Sequence, residues 1–284
     1  VRQNGKAEFN GVTSFKGNHG NNNGGAILNY GNLVFNNTAT FDGNSGITGG
    51  GIANGGTLII NAFADFKNNE ANTYGGALNN YGGKAYLNAS ANFENNSVSQ
   101  RGGAVYNHST SEITFAGDSY TFKNNKVGGK GFNDIYNDGV MNVGVAGNTT
   151  DFNVSYVTGT GTANILGNVN LKAANAEKTI DWQNHIVVDS GVTLTVTGTS
   201  NFHDVNHSGS GGAFYNEGTV VLNGDVVFEN NKTSLYGAAI RNEKPASVFT
   251  INGFATFKKN TAADGNAAIS NLSLIHISEP TRRV

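Results

Sequence analysis

The sequence has 284 residues, of which 40 are Gly, 2 are Pro and none is Cys, and its formal net charge is −2. Charged residues make up 13% and hydrophobic residues 37%, so the chain can build a core but has no basic stripe to neutralise phosphates. This composition argues against intrinsic disorder, a disulfide framework, a thiolate metal site and nucleic acid as a partner.

A Phe-x-x-Asn element returns along most of the chain. Its copies begin, in steps of 26, 25, 27 and 29 residues, at Phe15, Phe41, Phe66, Phe93 and Phe122. It resumes at Phe202, Phe228 and Phe257, with Val205 replacing the Asn of the first of these. Gly-Gly-Ala plus a hydrophobic residue stands between copies, as at 24–27, 75–78, 102–105 and 211–214. Repeats in phase at this period indicate a solenoid.

Each repeat contains three short extended pieces: the run into Phe, the Gly-Gly-Ala run, and an alternating run such as "GTLIIN". They alternate with period 2 between Gly and Asn turns, and none has helical spacing. Three strands in roughly 25 residues correspond to one coil of a parallel β-helix, with coils about 4.8 Å apart. We therefore predict an all-β fold, a right-handed parallel β-helix with roughly 25–27 residues and three short strands per coil.

The repeated residues are predicted to be structural. An internal aromatic stack is expected from Phe15, Phe41, Phe66, Phe93, Phe122, Phe228 and Phe257. A ladder of side-chain amides, in residues able to adopt the left-handed turn conformation, is expected from Asn29, Asn54, Asn79, Asn107, Asn137, Asn216 and Asn242. Gly-Gly would let the backbone turn a corner that is closed to residues with a side chain.

Residues 144–201 lack Gly-Gly-Ala but still alternate as strands, so we predict one continuous β-helix over 1–271 with irregular coils at about 144–201. Trp182 lies there and is predicted to be a core plug or a loop anchor rather than an exposed binding aromatic. Residues 272–284 change composition, and "LIHISEPTRR" looks like a translated sequencing-adapter read-through. This tail is expected to be non-native; a natural cap is the alternative.

Few residues invite a catalytic or metal-binding interpretation. "FHDVNH" places His203, Asp204 and His207 close together, but no third ligand is suggested, so no metal is predicted. Asp204 and Asp225 lie in adjacent coils at different phases, and the position after Phe carries Lys as often as Asp or Glu. No nucleotide or dinucleotide fingerprint occurs, so we expect no cofactor and no catalytic residue.

The pairing of "FKGN", "FKNN" and "FENN" with "GGAI", "GGAL" and "GGAV" resembles the repeats of polymorphic outer-membrane proteins, a family of autotransporter passengers. The resemblance covers about residues 9–143 and 200–271. It implies a bacterial protein at the cell surface, in the outer membrane or outside the cell, attached to membrane only through parts missing from this fragment. The implied partner is a host-cell or extracellular-matrix protein or glycan.

The sequence thus predicts a fragment of a non-catalytic, surface-displayed or secreted β-helical adhesin that presents an extended binding surface. The alternative is a secreted polysaccharide lyase or glycoside hydrolase, because parallel β-helices also carry such enzymes. A cluster of carboxylates on one face would favour the enzyme.

Overall fold

The computed structural model describes residues 1–128, 131, 133–175 and 179–277. Over these residues the chain is all-β and winds into a parallel β-helix of about ten coils, which confirms the predicted fold class. No helix occurs among the described residues, and hence none that is long and apolar enough to cross a membrane.

Three long sheets form the walls of the described β-helix, and we number them in the order in which the chain enters them. Sheet I consists of Lys6–Phe9, Asn32–Phe35, Thr57–Ile60, Lys84–Leu87, Glu112–Phe115, Val140–Val143, Thr162–Ile165, His185–Val188, Phe214–Asn216, Ile240–Asn242 and Ile269–Asn271. Sheet II consists of Thr13–Lys16, Ala39–Asp42, Ala64–Lys67, Ala91–Glu94, Ser119–Lys123, Thr149–Asn153, Asn168–Lys172, Thr193–Thr197, Thr219–Asn223, Val248–Ile251 and Leu274–Ile277. Sheet III consists of Ile27–Asn29, Ile52–Asn54, Leu78–Asn80, Val105–Asn107, Ile135–Asn137, Tyr156–Thr158, Thr179–Trp182, Thr199–His203, Val226–Glu229 and Ala255–Lys258.

Two short sheets add a fourth strand to the regular coils in the described part of the chain. Sheet IV consists of Ser45–Thr48, Glu70–Tyr74, Ser97–Val98 and Lys126–Val127. Sheet V consists of Asn206–His207, Lys232–Thr233 and Thr261–Ala262. Both follow the Phe-x-x-Asn element, but sheet IV leads from sheet II to sheet III, whereas sheet V leads from sheet III to sheet I.

Strands of sheet II alternate buried and less buried residues because successive side chains of a strand point to opposite faces. In Ala64–Lys67, Ala64 and Phe66 are fully buried, and the residues between and after them lie on the outer face. At the corner before sheet III, Gly75 has a φ of 59°, and a Cβ there would lie 2.2 Å from the carbonyl oxygen of Leu78. The chain turns here because glycine has no Cβ.

The Phe side chains stack inside the β-helix from coil to coil. Phe41, Phe66, Phe93 and Phe122 form the regular part of the stack, with ring centroids 4.7 to 4.8 Å apart and neighbouring rings within 6° of parallel. Phe15 extends this stack at 5.0 Å. The later copies, Phe202, Phe228 and Phe257, stand in sheet III instead of sheet II. The predicted series is therefore divided between two walls.

A ladder of buried Asn amides runs along the strand ends, and each Nδ2 donates to the Oδ1 of the next coil at 2.7 to 2.9 Å. Its members in sheet III are Asn29, Asn54, Asn80, Asn107 and Asn137. A second stretch joins Asn216 to Asn242 at 2.8 Å. The prediction of Asn79 as a member was wrong by one residue, because Asn80 pairs with Asn54 and Asn107.

The left-handed backbone conformation belongs to other residues than the ladder. It occurs at the third position of Phe-x-x-Asn, for example in Asn68 and Asn95, with φ of 55° and 56°. The ladder residues, by contrast, lie at the ends of strands. Asparagine suits the turn position because its short amide makes this conformation less unfavourable than it is for other side chains.

The last Asn of Phe-x-x-Asn forms an additional ladder that the sequence analysis did not predict. Its Nδ2–Oδ1 distances are 2.9 to 3.0 Å along Asn44, Asn69, Asn96 and Asn125. Each Nδ2 also bonds a carbonyl oxygen of an earlier coil, as Asn96 does with Phe66 at 3.0 Å. We call this the inner ladder, and it ends where Asn125 donates to the buried carboxylate of Asp134.

Residues 144–201 change the relation between motif and wall. The described chain there passes through sheets III, I and II in turn without entering a short sheet, and Thr162 pairs with Val140, only 22 residues earlier. After this region Phe-x-x-Asn lies in sheet III instead of sheet II, and the Gly-Gly-Ala strand lies in sheet I instead of sheet III. The motif has moved forward by one wall.

Trp182 has a core position, as predicted. It is 1% exposed and pairs in sheet III with Phe202, the first Phe of the later series. At the other end, Leu274–Ile277 pairs with Val248–Ile251. The division of the chain into a β-helix and a non-native tail stays a prediction, and residues 278–284 of that tail lie outside the described residues.

Candidate functional site: a tyrosine groove

A groove runs along the axis of the β-helix over sheet III, from the end of sheet IV to the turn after sheet III, and three rows of side chains line it. The first row is Thr48, Tyr74 and Arg101, which pair across adjacent coils. The second row, on sheet III, is Asn79, Tyr106 and Tyr136. The third row is Tyr81, His108 and Asp138, each directly after an Asn of the amide ladder. We call these nine residues the tyrosine groove.

Tyr106 is the centre of the groove. It lies in the middle of Val105–Asn107, between two residues that are fully buried. Its ring stacks on Tyr74 with centroids 4.9 Å apart, and it also contacts His108 at 6.0 Å and Tyr136 at 5.7 Å. These neighbours leave Tyr106 only 5% exposed. The groove is therefore a packed aromatic surface rather than a set of separate tyrosines.

Gly55 lets a further tyrosine, Tyr30, meet Tyr81 across a coil that has no side chain in the third row. Tyr30 and Tyr81 contact each other edge to face, with ring centroids 6.0 Å apart. A Cβ at Gly55 would lie 3.1 Å from the Tyr30 ring and 3.3 Å from the Tyr81 ring. Any side chain at this position would therefore press on both rings.

A cavity of about 220 Å³ opens at one end of the groove. Its walls are Asn23, Thr48, Tyr74, Asn79, Tyr81, Tyr106 and His108. The Oγ1 of Thr48 and the Oδ1 of Asn79 are buried and have no hydrogen-bond partner among the described residues. Thr48 is 8% exposed and Asn79 is 3% exposed. Buried polar atoms normally have partners, so these two are suited to bonding a ligand or water that enters the cavity.

The charges of the groove are paired. The Arg101 guanidinium lies 3.6 Å from the Asp138 carboxylate and 4.8 Å from the centre of the Tyr136 ring. Burial, followed by the Asp138 charge, raises the pKa of both Tyr106 and Tyr136 above the ordinary value. Both hydroxyls are therefore protonated at neutral pH, and the groove presents aromatic rings and neutral hydroxyl groups rather than a net charge.

A family model for the Chlamydia polymorphic membrane protein repeat matches residues 12–30 and 90–108. Both segments contain the Phe-x-x-Asn and Gly-Gly-Ala elements and run from sheet II to just beyond a strand of sheet III. Two segments of the chain thus match the polymorphic membrane protein repeat. No curated protein matched the chain, and no solved structure did.

Within a matched segment, some residues lie inside the β-helix and others lie on its outer surface. In the segment 90–108, Phe93, Asn96 and Asn107 are fully buried and belong to the stack and the two ladders. Arg101, Tyr106 and His108 of the same segment line the groove. The sequence analysis did not predict this site, although its signal was visible as Tyr beside the ladder Asn in "VYN", "IYN" and "NNYGG".

His203 and Asp204, which the sequence placed near each other, form part of an ion-paired group. The Nδ1 of His203 lies 2.8 Å from Asp204 Oδ2, and its Nε2 contacts Asp181. The hydrogen bond to Asp181, together with the bond to Asp204, outweighs burial and raises the pKa of His203 to about 9. The imidazole is therefore charged at neutral pH and unsuited to act as a general base.

His207, the third member of that sequence cluster, points to a different neighbour. Its ring stacks on His185 with centroids 3.8 Å apart, and His185 Nδ1 donates to the carbonyl oxygen of Gly212 at 2.9 Å. Burial, and then the nearby His207, lowers the pKa of His185 to about 4. Among the described residues no group of three or more His, Cys, Asp or Glu side chains is arranged to hold a metal ion.

The position after Phe in the repeat carries charges of alternating sign. Lys16, Asp42, Lys67, Glu94 and Lys123 follow one another along the outer face of sheet II. Two pairs of neighbours in this row form ion pairs: Lys16 with Asp42 at 3.6 Å, and Lys123 with Glu94 at 3.7 Å. Lysines thus separate the carboxylates of this row, which do not form the kind of pair that a glycosidase uses.

Proposed function

We propose that the chain is part of the passenger of a bacterial autotransporter, displayed at the cell surface or secreted, and that it acts as a non-catalytic adhesin. Its partner would be a protein or a glycan of the host cell or of the extracellular matrix. The polymorphic membrane protein repeats and the β-helix support the surface location. A rigid solenoid suits this role because it presents one long surface on which weak contacts add.

The tyrosine groove is the observation that carries this proposal. Tyrosines are enriched where proteins bind each other or ligands, since one ring offers a large apolar area and a polar end. Here Tyr74, Tyr106 and Tyr136 are held by the rigid walls of sheets III and IV. The interior of the repeat is occupied by packing and hydrogen bonding, which leaves this outer surface for recognition.

The enzyme alternative has weaker support at the carboxylates that could carry it. Asp204 is bonded to His203 and to the Nδ2 of Asn230. Asp225 accepts a hydrogen bond from the backbone N–H of Phe254 at 2.9 Å. Both carboxylates therefore stabilise turns of the β-helix, and we assign neither a catalytic role.

The test compares binding of the intact chain and two Tyr variants to host cells and to extracellular-matrix preparations. Tyr106→Ala should reduce binding at least tenfold. Tyr215→Ala is the matched control, because Tyr215 also stands in the middle of a Gly-Gly-Ala strand but on sheet I, away from the groove. Equal binding by all three proteins would refute the role of the groove.

The intact protein should also be incubated with pectin and with neutral polysaccharides to test for turnover of these substrates. We expect neither reducing ends nor unsaturated products to accumulate. A product signal that disappears in Asp204→Asn or Asp225→Asn would establish the enzyme instead of the adhesin.

A further inference from the structure

We infer that the tyrosine groove binds a neutral glycan chain that lies along the axis of the β-helix. This inference rests on the proposed binding function and specifies the chemical class of its ligand. The first observation is the composition of the cavity, in which aromatic rings surround unpartnered polar atoms that include Thr48 Oγ1 and Asn79 Oδ1. A sugar ring matches both features, since it has an apolar C–H face that stacks on tyrosine and a rim of hydroxyl groups.

The buried atoms also specify the direction of the hydrogen bonds. Asn79 Oδ1 can only accept, and it is 3% exposed as a residue, so its partner must bring a donor into the cavity. Thr48 Oγ1 can donate and accept. One ligand hydroxyl can donate to Asn79, and a neighbouring hydroxyl can bond Thr48 in either sense. A small set of such polar groups in an otherwise aromatic cavity is typical of a site that orients its ligand.

The repeat gives the groove the right period for a polymer. Asn79, Tyr106 and Tyr136 occupy successive coils of sheet III, and parallel strands lie about 4.8 Å apart. This distance is close to the length of one hexose unit in an extended glycan. Successive sugar units can therefore meet equivalent positions of successive coils, and their weak contacts can add.

Two other ligand classes fit less well. A peptide that adds a strand needs the free edge of a sheet, but the strands that carry Tyr74 and Asn79, Glu70–Tyr74 and Leu78–Asn80, are already paired on both sides. An acidic glycan needs an available cation, but Arg101 is paired with Asp138. Asp138 would in addition repel an acidic ligand.

The experiment titrates the full chain with tetrasaccharides, by calorimetry and by NMR. The neutral probes are cellotetraose, a β-1,4-galactotetraose and the tetramer of N-acetylglucosamine; the acidic probes are tetragalacturonate and a heparin tetrasaccharide. At least one neutral probe should bind, and it should bind more tightly than either acidic probe. Tyr106→Ala should weaken its binding at least tenfold, whereas Tyr215→Ala should bind as the unchanged protein does.

Asn79→Leu provides the readout that a merely structural role would not give. Leucine has the same number and branching of side-chain heavy atoms but no buried acceptor, so the melting temperature should rise while glycan binding falls at least tenfold. Unchanged glycan binding by Asn79→Leu would overturn the inference, and so would tighter binding of the acidic probes or no neutral binding at millimolar concentration. Loss of cell binding in Tyr106→Ala without any glycan binding would overturn this inference alone and leave the adhesin proposal standing.

Discussion

The rings of Phe66 and Phe93 lie 4.8 Å apart, and their planes differ by 1°. The two residues are 27 positions apart in sequence and face each other across the parallel pair Ala64–Lys67 and Ala91–Glu94. Neither ring is exposed. Phe93 is therefore held between the rings of Phe66 and Phe122, and its loss would leave a cavity that both neighbours line.

Phe93→Ala should lower the free energy of unfolding by about 3–5 kcal/mol, as expected for a large-to-small change in a packed core. Denaturant melts of the two proteins measure the difference. Phe254→Ala is the matched control, because the Phe254 side chain is 63% exposed, and its change should matter little. A Phe93→Ala protein as stable as the unchanged one would contradict the inward stack.

Two adjacent asparagines should differ in how much stability the same change costs. Asn80 accepts from Asn54 and donates to Asn107 at 2.9 Å and to the carbonyl oxygen of Glu112 at 2.9 Å. Asn80→Ala leaves these buried partners unsatisfied and should cost roughly 2–4 kcal/mol of unfolding free energy. Asn79→Ala breaks no ladder bond and should cost less than about 1 kcal/mol. A larger loss in Asn79→Ala would place the ladder one residue earlier.

Acid should destabilise the β-helix through His185. Its pKa is about 4 in the folded chain and about 6.5 when exposed to water, so only the unfolded chain binds this proton between those values. The contribution of His185 to stability is present above pH 6.5 and lost as the pH falls to 4, by as much as roughly 3 kcal/mol. His185→Gln should show a flatter pH dependence of unfolding over this range. The same slope in both proteins would show that other groups cause the acid loss.

His203 should titrate in the opposite direction. Asp181 and Asp204 raise its pKa to about 9, so its contribution to stability is present below the unfolded value of about 6.5 and lost as the pH rises to 9. NMR of the ring protons should find His203 protonated at pH 7. Asp181→Asn should lower the pKa of His203, because the carboxylate that raises this pKa most is replaced by a neutral amide. A His203 that titrates near 6.5 in the unchanged protein would contradict the ion-paired group.

The interior of the β-helix could be predicted from sequence because its residues repeat. Phe and Gly-Gly recur in phase, and each copy packs against the copies in adjacent coils, so one repeat explains its neighbours. The choice between Asn79 and Asn80 failed for a physical reason. A shift of one residue exchanges the two faces of a strand, and "LNN" offers an asparagine for either face.

The tyrosine groove could not be predicted in the same way, because its members come from different coils and differ in type. Thr48, Tyr74 and Arg101 are neighbours only after each coil has closed with its own length. Asp181 was missed beside His203 for a similar reason: it comes from the preceding coil of the irregular region, 22 residues earlier. The residues that become neighbours in a row on the outer surface can be predicted only when the length of every coil is known.

The change of wall in residues 144–201 means that the repeat does not encode the direction in which it faces. Phe-x-x-Asn forms part of a strand in sheet II, where Phe93 lies, and also in sheet III, where Phe228 lies. The wall that a repeat occupies depends on the number of strands that precede it in the chain. Removing one strand from the irregular region would therefore re-aim every later coil without altering a residue of those coils. A small deletion in the middle of the solenoid would thus turn the whole surface of the later coils toward a different side.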